Sequence, residues 1–135
     1  MSEALAAALR WADALDHDDF DHLPAFMATD CVYHAPASDL VGPEDIVDSY
    51  RQSSIWAHDT FDSITWDSSC ELESDDTVLI TFVDITQHQG QHHEYRCRQR
   101  VRFDADWRIA EITHISIPEE ERLLADFFAR VGVTR

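Results

Sequence analysis

The chain has 135 residues, enough for one domain (1–135) that buries a single core without disulfide or metal staples. It carries 27 acidic residues against 10 basic ones, for a formal net charge of -17, and every basic residue is an arginine. A field of that sign repels phosphate backbones and anionic lipid, which excludes nucleic acid and membrane surfaces as expected partners.

From the N-terminus, Ser2 caps a predicted helix running to about Asp16, with Leu5, Leu9, Ala12 and Leu15 or Asp16 as its apolar stripe. The His17-Asp18-Asp19 segment breaks it and opens a second helix through Phe26-Met27, with Pro24 tolerated near its first turn. CVYHAP is a short strand ending at Pro36. Gly42-Pro43 starts a third helix, with Pro at the first helical position and Glu44-Asp45 suiting its dipole. Its stripe is Ile46, Val47, Tyr50, Ile55 and Trp56. FDSITWDSSCELE reads as a strand with Ile64, Trp66, Cys70 and Leu72 on one face, turning at Ser74-Asp75-Asp76. The stretch from Thr77 to Ile117 then makes three antiparallel strands in two hairpins. The last helix starts at Pro118, carries Leu123, Leu124, Phe127, Phe128 and Val131, and ends at Gly132.

The three-strand meander organises the rest. A two-residue turn at Gln89-Gly90 sets Asp84 opposite Tyr95, Phe82 opposite Cys97 and Ile80 opposite Gln99. A four-residue turn from Asp104 to Trp107 sets Gln99 opposite Ile112 and Cys97 opposite His114. Phe82, Asp84, Tyr95, Cys97, Gln99, Ile112 and His114 then share one face. Its mixture of apolar, aromatic and ionisable groups reads as a pocket wall. No apolar run approaches the ~18 residues of a membrane span and no basic-then-apolar leader opens the sequence, so the expected location is the cytoplasm. Cys31, Cys70 and Cys97 are odd in number and widely spaced, which reads as free thiols, with no metal site and no cofactor. The absence of Lys has two open readings, adaptation to high intracellular salt or a GC-rich genome.

The order of helices, short strand and long meander is α+β, with helices on one face of a curved sheet. RWADALDHDDFDHLPAFMATDCVYHAP, the G-P-E-D-I segment and the meander together resemble the nuclear transport factor two-like superfamily, in its SnoaL-like branch. The resemblance implies a cone-shaped antiparallel sheet wrapped around the N-terminal helices, with an enclosed, mostly apolar pocket. The superfamily holds ketosteroid isomerase, scytalone dehydratase, limonene epoxide hydrolase, polyketide cyclases and non-catalytic members, so the pocket must decide function. The isomerase positions fall on Ala35, Trp11 and Gln99, which excludes that chemistry. The dehydratase resemblance puts Asp16 at its Asp position, with its His positions near Phe61 to Ser63 and on Phe82, and His58 nearby. The epoxide hydrolase set falls on Asp84, Phe82, His114, Tyr33 and Ala35, keeping one Asp and the Tyr.

What remains is Tyr33, Asp84 and His114, with Asp16 entering from the helix side. A His near neutral pKa can move a proton, a carboxylate in reach would fix its tautomer, and Tyr33 could donate to an oxyanion. Against this stands a plain reading, in which His114 is a satisfied core residue and Asp84 bonds Tyr95 or a backbone amide. Trp11, Tyr50, Trp56, Phe82, Tyr95, Cys97, Gln99 and Ile112 are expected to line a cavity of a few hundred Å³, on the order usual for small-molecule sites. His88, His92 and His93 read as a solvated turn, and His34 points away from the pocket. Two functions follow: a cofactor-independent acid–base enzyme (isomerase, dehydratase, cyclase or hydrolase) on a small hydrophobic molecule, or a non-catalytic ligand-binding or dimerisation domain. A homodimer is expected through the outer sheet face, with Leu79, Val83, Ile109 and Ile115 between arginines, Arg100 beside Glu111 and Arg96 beside Ile115. The competing arrangement has the last helix covering that face.

Overall fold

The computed structural model describes residues 2–135. Helix α1 (Glu3–Asp16) starts where the Ser2 side chain accepts the Leu5 amide at 2.9 Å. It buries Ala4, Ala7, Ala8, Trp11 and Ala12, a stripe at helical spacing, whereas Leu9 of the expected stripe is 43% exposed. Four alanines let α1 sit close to the concave sheet around the single large side chain of Trp11, and Leu5 and Leu15 pack at the margins of this face. The segment Phe20–Phe26 is a 3-10 helix rather than a second α-helix, being short and containing Pro24.

Strand β1 (Met27–His34) begins before the expected Cys31 and pairs with β2 (Asp39–Val41), an edge strand too short to leave a periodic signal. Gly42 then turns the chain at φ 89 and ψ 150, donating its amide to the Cys31 carbonyl, and α2 (Pro43–Thr60) follows with Pro43 in its first turn. Its inner side runs Ile46, Val47, Tyr50, Ser54 and Ala57, while Ile55 is exposed.

Strands β3 (Ser63–Ser74), β4 (Thr77–His88), β5 (Gln91–Phe103) and β6 (Ile109–Ile115) complete a six-stranded sheet in the order β2-β1-β6-β5-β4-β3. Only β1 and β6 run parallel among the described strands. The first hairpin has the expected register, Phe82 facing Cys97 and Asp84 facing Tyr95, with Gln89 and Gly90 at φ 50 and 75 as a primed turn demands.

The second hairpin corrects the expectation. Gln99 faces His114 and Val101 faces Ile112, two residues off the four-residue-turn register. The Asp104 carboxylate accepts the Asp106 and Arg108 amides at 2.9 and 3.0 Å, Trp107 takes φ 59, and the turn extends to Arg108. An even shift leaves Ile112 and His114 on the concave face. A bulge after Arg102 pairs Phe103 with Ile109 and turns Ile109 into the core, not outward. On the convex face Arg100 therefore lies between Leu79 and Thr113, Arg98 faces Ile115 and Arg102 faces Glu111.

Helix α3 (Pro118–Val131) lies on the concave side. Phe127 stacks on His93 at 4.8 Å and shares a cluster with Ala57, Phe61 and Ile64. It leaves the convex face uncovered. The main core lies between α1 and Val78, Ile80, Val101, Ile109 and Ile112.

Candidate functional site

Between the concave sheet, α2 and α3 lies a cavity of about 1040 Å³, larger than expected. Strand alternation aims Phe82, Asp84, Tyr95, Cys97 and Gln99 into it, and Tyr33, Tyr50 and Trp56 join from β1 and α2. Trp11 and Ile112 correct the expected lining: both are fully buried in the core behind the wall.

Tyr33, Tyr50 and Gln99 form one unit. The Tyr50 hydroxyl donates to Gln99 Oε1 at 2.7 Å, and Gln99 Nε2 donates to the Tyr33 hydroxyl at 3.2 Å. The two phenol rings stack 5.5 Å apart and within 5° of parallel. Fixed on both sides, the Gln99 amide presents the Tyr33 oxygen with a donor, so the Tyr33 proton points elsewhere. Burial pushes the Tyr33 phenol up to about 12, so it acts as a donor and not a base.

Asp84 and His114 both line the cavity, yet they form no hydrogen bond. Asp84 faces Tyr95 and His114 faces Gln99, which sets them about 13 Å apart along β5 alone. Asp84 accepts no hydrogen bond from any described side chain, and burial pushes its carboxyl up to about 6 against the opposing pull of Arg135. His114 Nδ1 is buried without a partner; burial lowers the imidazole pKa, with Glu121 acting the other way. The expected tautomer-fixing pair is therefore not made.

Asp16 closes α1, where the helix dipole disfavours an acid. Its Oδ2 accepts Ser68 Oγ at 2.6 Å and its Oδ1 is buried without a partner. Burial raises its pKa, and the Ser68 bond offsets part of that rise. The thiols are poor nucleophiles, since burial pushes Cys97 and Cys31 up to about 12 and Cys70 up to about 11.

Three lining groups, Asp18, Glu121 and Arg135, escaped the sequence reading. Asp18 (φ 55) accepts Ser54 Oγ at 2.9 Å and His58 Nε2 at 3.0 Å, tying the end of α1 to α2. His58 had drawn attention only through its sequence neighbourhood. Glu121, in the acidic first turn of α3, accepts the Tyr95 hydroxyl. The Arg135 guanidinium lies 4.2 Å from the Trp56 ring centre. A run of acids at a helix start reads equally well as dipole pairing, so nothing in the sequence singled out Glu121.

The hairpin histidines also correct the expectation. His92 stays in solvent with Glu94, but His88 accepts the Asp62 amide and meets the Phe61 ring, and His93 stacks on Phe127 with Nε2 buried and unpartnered. His34 points to the convex side, between Asp39 and Glu111, as expected. Among the described residues no three metal-ligating side chains converge.

The family model described as "SnoaL-like domain" matches residues 8–112. No curated protein sequence matches the chain significantly. Among solved structures, a protein from Xanthomonas campestris pv. campestris, provisionally named a polyketide cyclase, is 16% identical with a TM-score of 0.68, covering 88% of this chain and 93% of its own. An LEH-like epoxide hydrolase from M. tuberculosis is 19% identical with a TM-score of 0.66, covering 96% of this chain and 95% of its own. The Mycobacterium tuberculosis protein RV0760c, in complex with estradiol-17beta-hemisuccinate, is 19% identical with a TM-score of 0.64, covering 89% and 98%. At these identities the likeness shows the cone fold.

Proposed function

The chain belongs to the SnoaL-like domain family, and from that premise we propose that its cone binds a small, largely hydrophobic molecule. The cavity itself carries this reading: about 1040 Å³, with Tyr50, Trp56, Trp66 and Phe82 giving it an aromatic wall and acidic and hydroxyl groups set around them. The structural neighbour in complex with estradiol-17beta-hemisuccinate supports a ligand of that size with a large apolar body. The test is titration with Nile red, a neutral apolar dye. The dye should brighten on the wild type, and Ala35→Phe, which grows a ring from the cavity wall, should weaken its binding by roughly tenfold, the cost of about 1.4 kcal/mol of lost apolar contact. Equal binding by wild type and Ala35→Phe would place the dye outside the cavity.

A second reading is a cofactor-independent acid–base enzyme. One observation favours it: a carboxyl near pKa 6, free of hydrogen bonds and facing the cavity, is poised to exchange protons near neutral pH. Asp84 is the base in that reading and Tyr33 the hydroxyl donor, with His114 and Asp16 too distant or too engaged to complete a dyad with Asp84.

The reading extends to a homodimer through the uncovered convex face. Three free thiols fit a reducing cytoplasm, and no described helix is long and apolar enough to cross a membrane.

A further inference from the structure

Asp84 is the inward group whose surroundings least explain its presence. It sits mid-strand on β4 with Trp66 opposite on β3 and Tyr95 opposite on β5. It faces the cavity and receives no hydrogen bond from a described residue. The cation nearest in influence, Arg135, forms no ion pair with it and lies over Trp56 instead. A half-buried carboxylate on an apolar cavity wall without a protein partner is costly, and the cost is recovered when the partner arrives with a ligand.

The cavity as a whole has one sign. Its acids are Asp16, Asp18, Asp45, Asp48, Asp84 and Glu121; its bases are Arg135 and His114, and burial favours neutral His114. Low-dielectric walls carrying one sign of charge draw in cations and turn away anions. The walls beside Asp84 are aromatic, and an aromatic face holds an ammonium or guanidinium well. Trp56 already does so with the chain's own Arg135 at 4.2 Å.

From these observations we propose that the ligand is a hydrophobic amine, bound as its ammonium ion between the Asp84 carboxylate and the rings of Trp66 and Tyr95. This rests on the ligand-binding reading and narrows it: a neutral or anionic apolar molecule would leave Asp84 unpaired. It also gives Asp84 the role of counter-ion instead of base.

Three probes sharing one ring system separate the cases: 2-naphthylmethylamine, 2-naphthylmethanol and 2-naphthoate, each displacing Nile red at pH 8. The wild type should bind the amine roughly tenfold or more tighter than the alcohol, as a desolvated charge-assisted contact predicts, and the carboxylate weakest. Asp84→Asn, with each probe read against Nile red titrated afresh into that variant, should bring the amine to the level of the alcohol. Amine and alcohol binding alike, or an amine preference that survives in Asp84→Asn, would overturn the proposal and leave the apolar pocket standing. Failure of Nile red to bind the wild type would remove the pocket reading, and this inference with it.

Discussion

A carboxyl held at about 6 must make the folded chain less stable as it ionises. The folded pKa of Asp84 lies above its ordinary 3.8, so between those values the native state binds more protons than the unfolded one. Stability from this group therefore falls as pH rises through roughly 4 to 6, and the full penalty persists above. Its upper size is about 3 kcal/mol, at ~1.4 kcal/mol for each tenfold difference in proton affinity between the folded and unfolded chain. Asp84→Asn should thus gain on the order of 2 kcal/mol in urea denaturation at pH 8 and almost nothing at pH 4. In the acid–base reading the same variant also loses turnover. An equal gain at both pH values would show that ionisation of Asp84 is not what costs the stability. At this scale the sequence told which way a side chain faces but not how deep it lies. Alternation placed Asp84, Cys97 and Gln99 inward correctly. It could not separate Ile112, behind the wall, from His114, on it, because parity carries no information about distance from the cavity.

Among the elements, the first hairpin was legible because Gln89-Gly90 admits one short turn, and a two-residue turn fixes every later pair. The second was not, because the Asp104 carboxylate captures two amides and lengthens the loop, a side-chain effect that a residue count misses. Strand β2 was lost for a different reason, three residues being too few to show a period, and the helix expected through Phe26-Met27 is present but closes as a 3-10 helix of seven residues around Pro24. The helix α1 stripe was partly misread because leucines were weighted above alanines, whereas the buried face groups Ala4, Ala7, Ala8 and Ala12 around Trp11 and leaves Leu9 exposed. Gly42 links several of these elements. Its φ 89 and ψ 150 fall in a region that side chains other than glycine's rarely enter, even though nothing but the Thr29 carbonyl, 3.9 Å away, approaches its missing Cβ. Gly42→Ala should therefore cost about 1 to 3 kcal/mol through backbone strain alone, read as a lower urea midpoint with an unchanged slope. A neutral substitution would show that the β2–α2 junction relaxes freely.

For the whole molecule, the convex face and the surface charge each lead to a measurement. The convex face exposes Val41 at 62% and presents Leu79, Val83, Ile85 and Ile115 among arginines. Arg100 is held by Glu73, Arg102 by Glu111 and Arg96 by Glu94, so most of that row is neutralised within one protomer and a two-fold mate would not meet bare like charges. Light scattering should give a dimer for the wild type and a monomer for the Val83→Glu, Ile115→Glu double variant. A wild-type monomer, or a variant that stays dimeric, would end the dimer proposal. The net charge of -17 sets the second measurement. If the Lys-free surface answers high ionic strength, the melting temperature should climb steeply from dilute buffer to molar KCl, as screening relieves self-repulsion. A flat or falling curve would leave genome composition as the cause. The α+β class was legible from the order of the elements, and the cone came with the family resemblance; the parallel seam between β1 and β6 was not legible, since pairing between distant segments has no local signature.

That seam has a kinetic consequence. Tyr33 lies beside Ile112, so nearly the whole chain must be threaded before β1 and β2 have a neighbour to dock on. Closing so long a loop early gains few contacts, and folds built on such pairings are slow to assemble. The meander of β3, β4, β5 and β6 pairs only neighbours in sequence, so the expected order has it forming first and the earliest-made strand of the sheet docking last. Pulse-labelled hydrogen exchange should show the β4–β5 amides protected before those of β1.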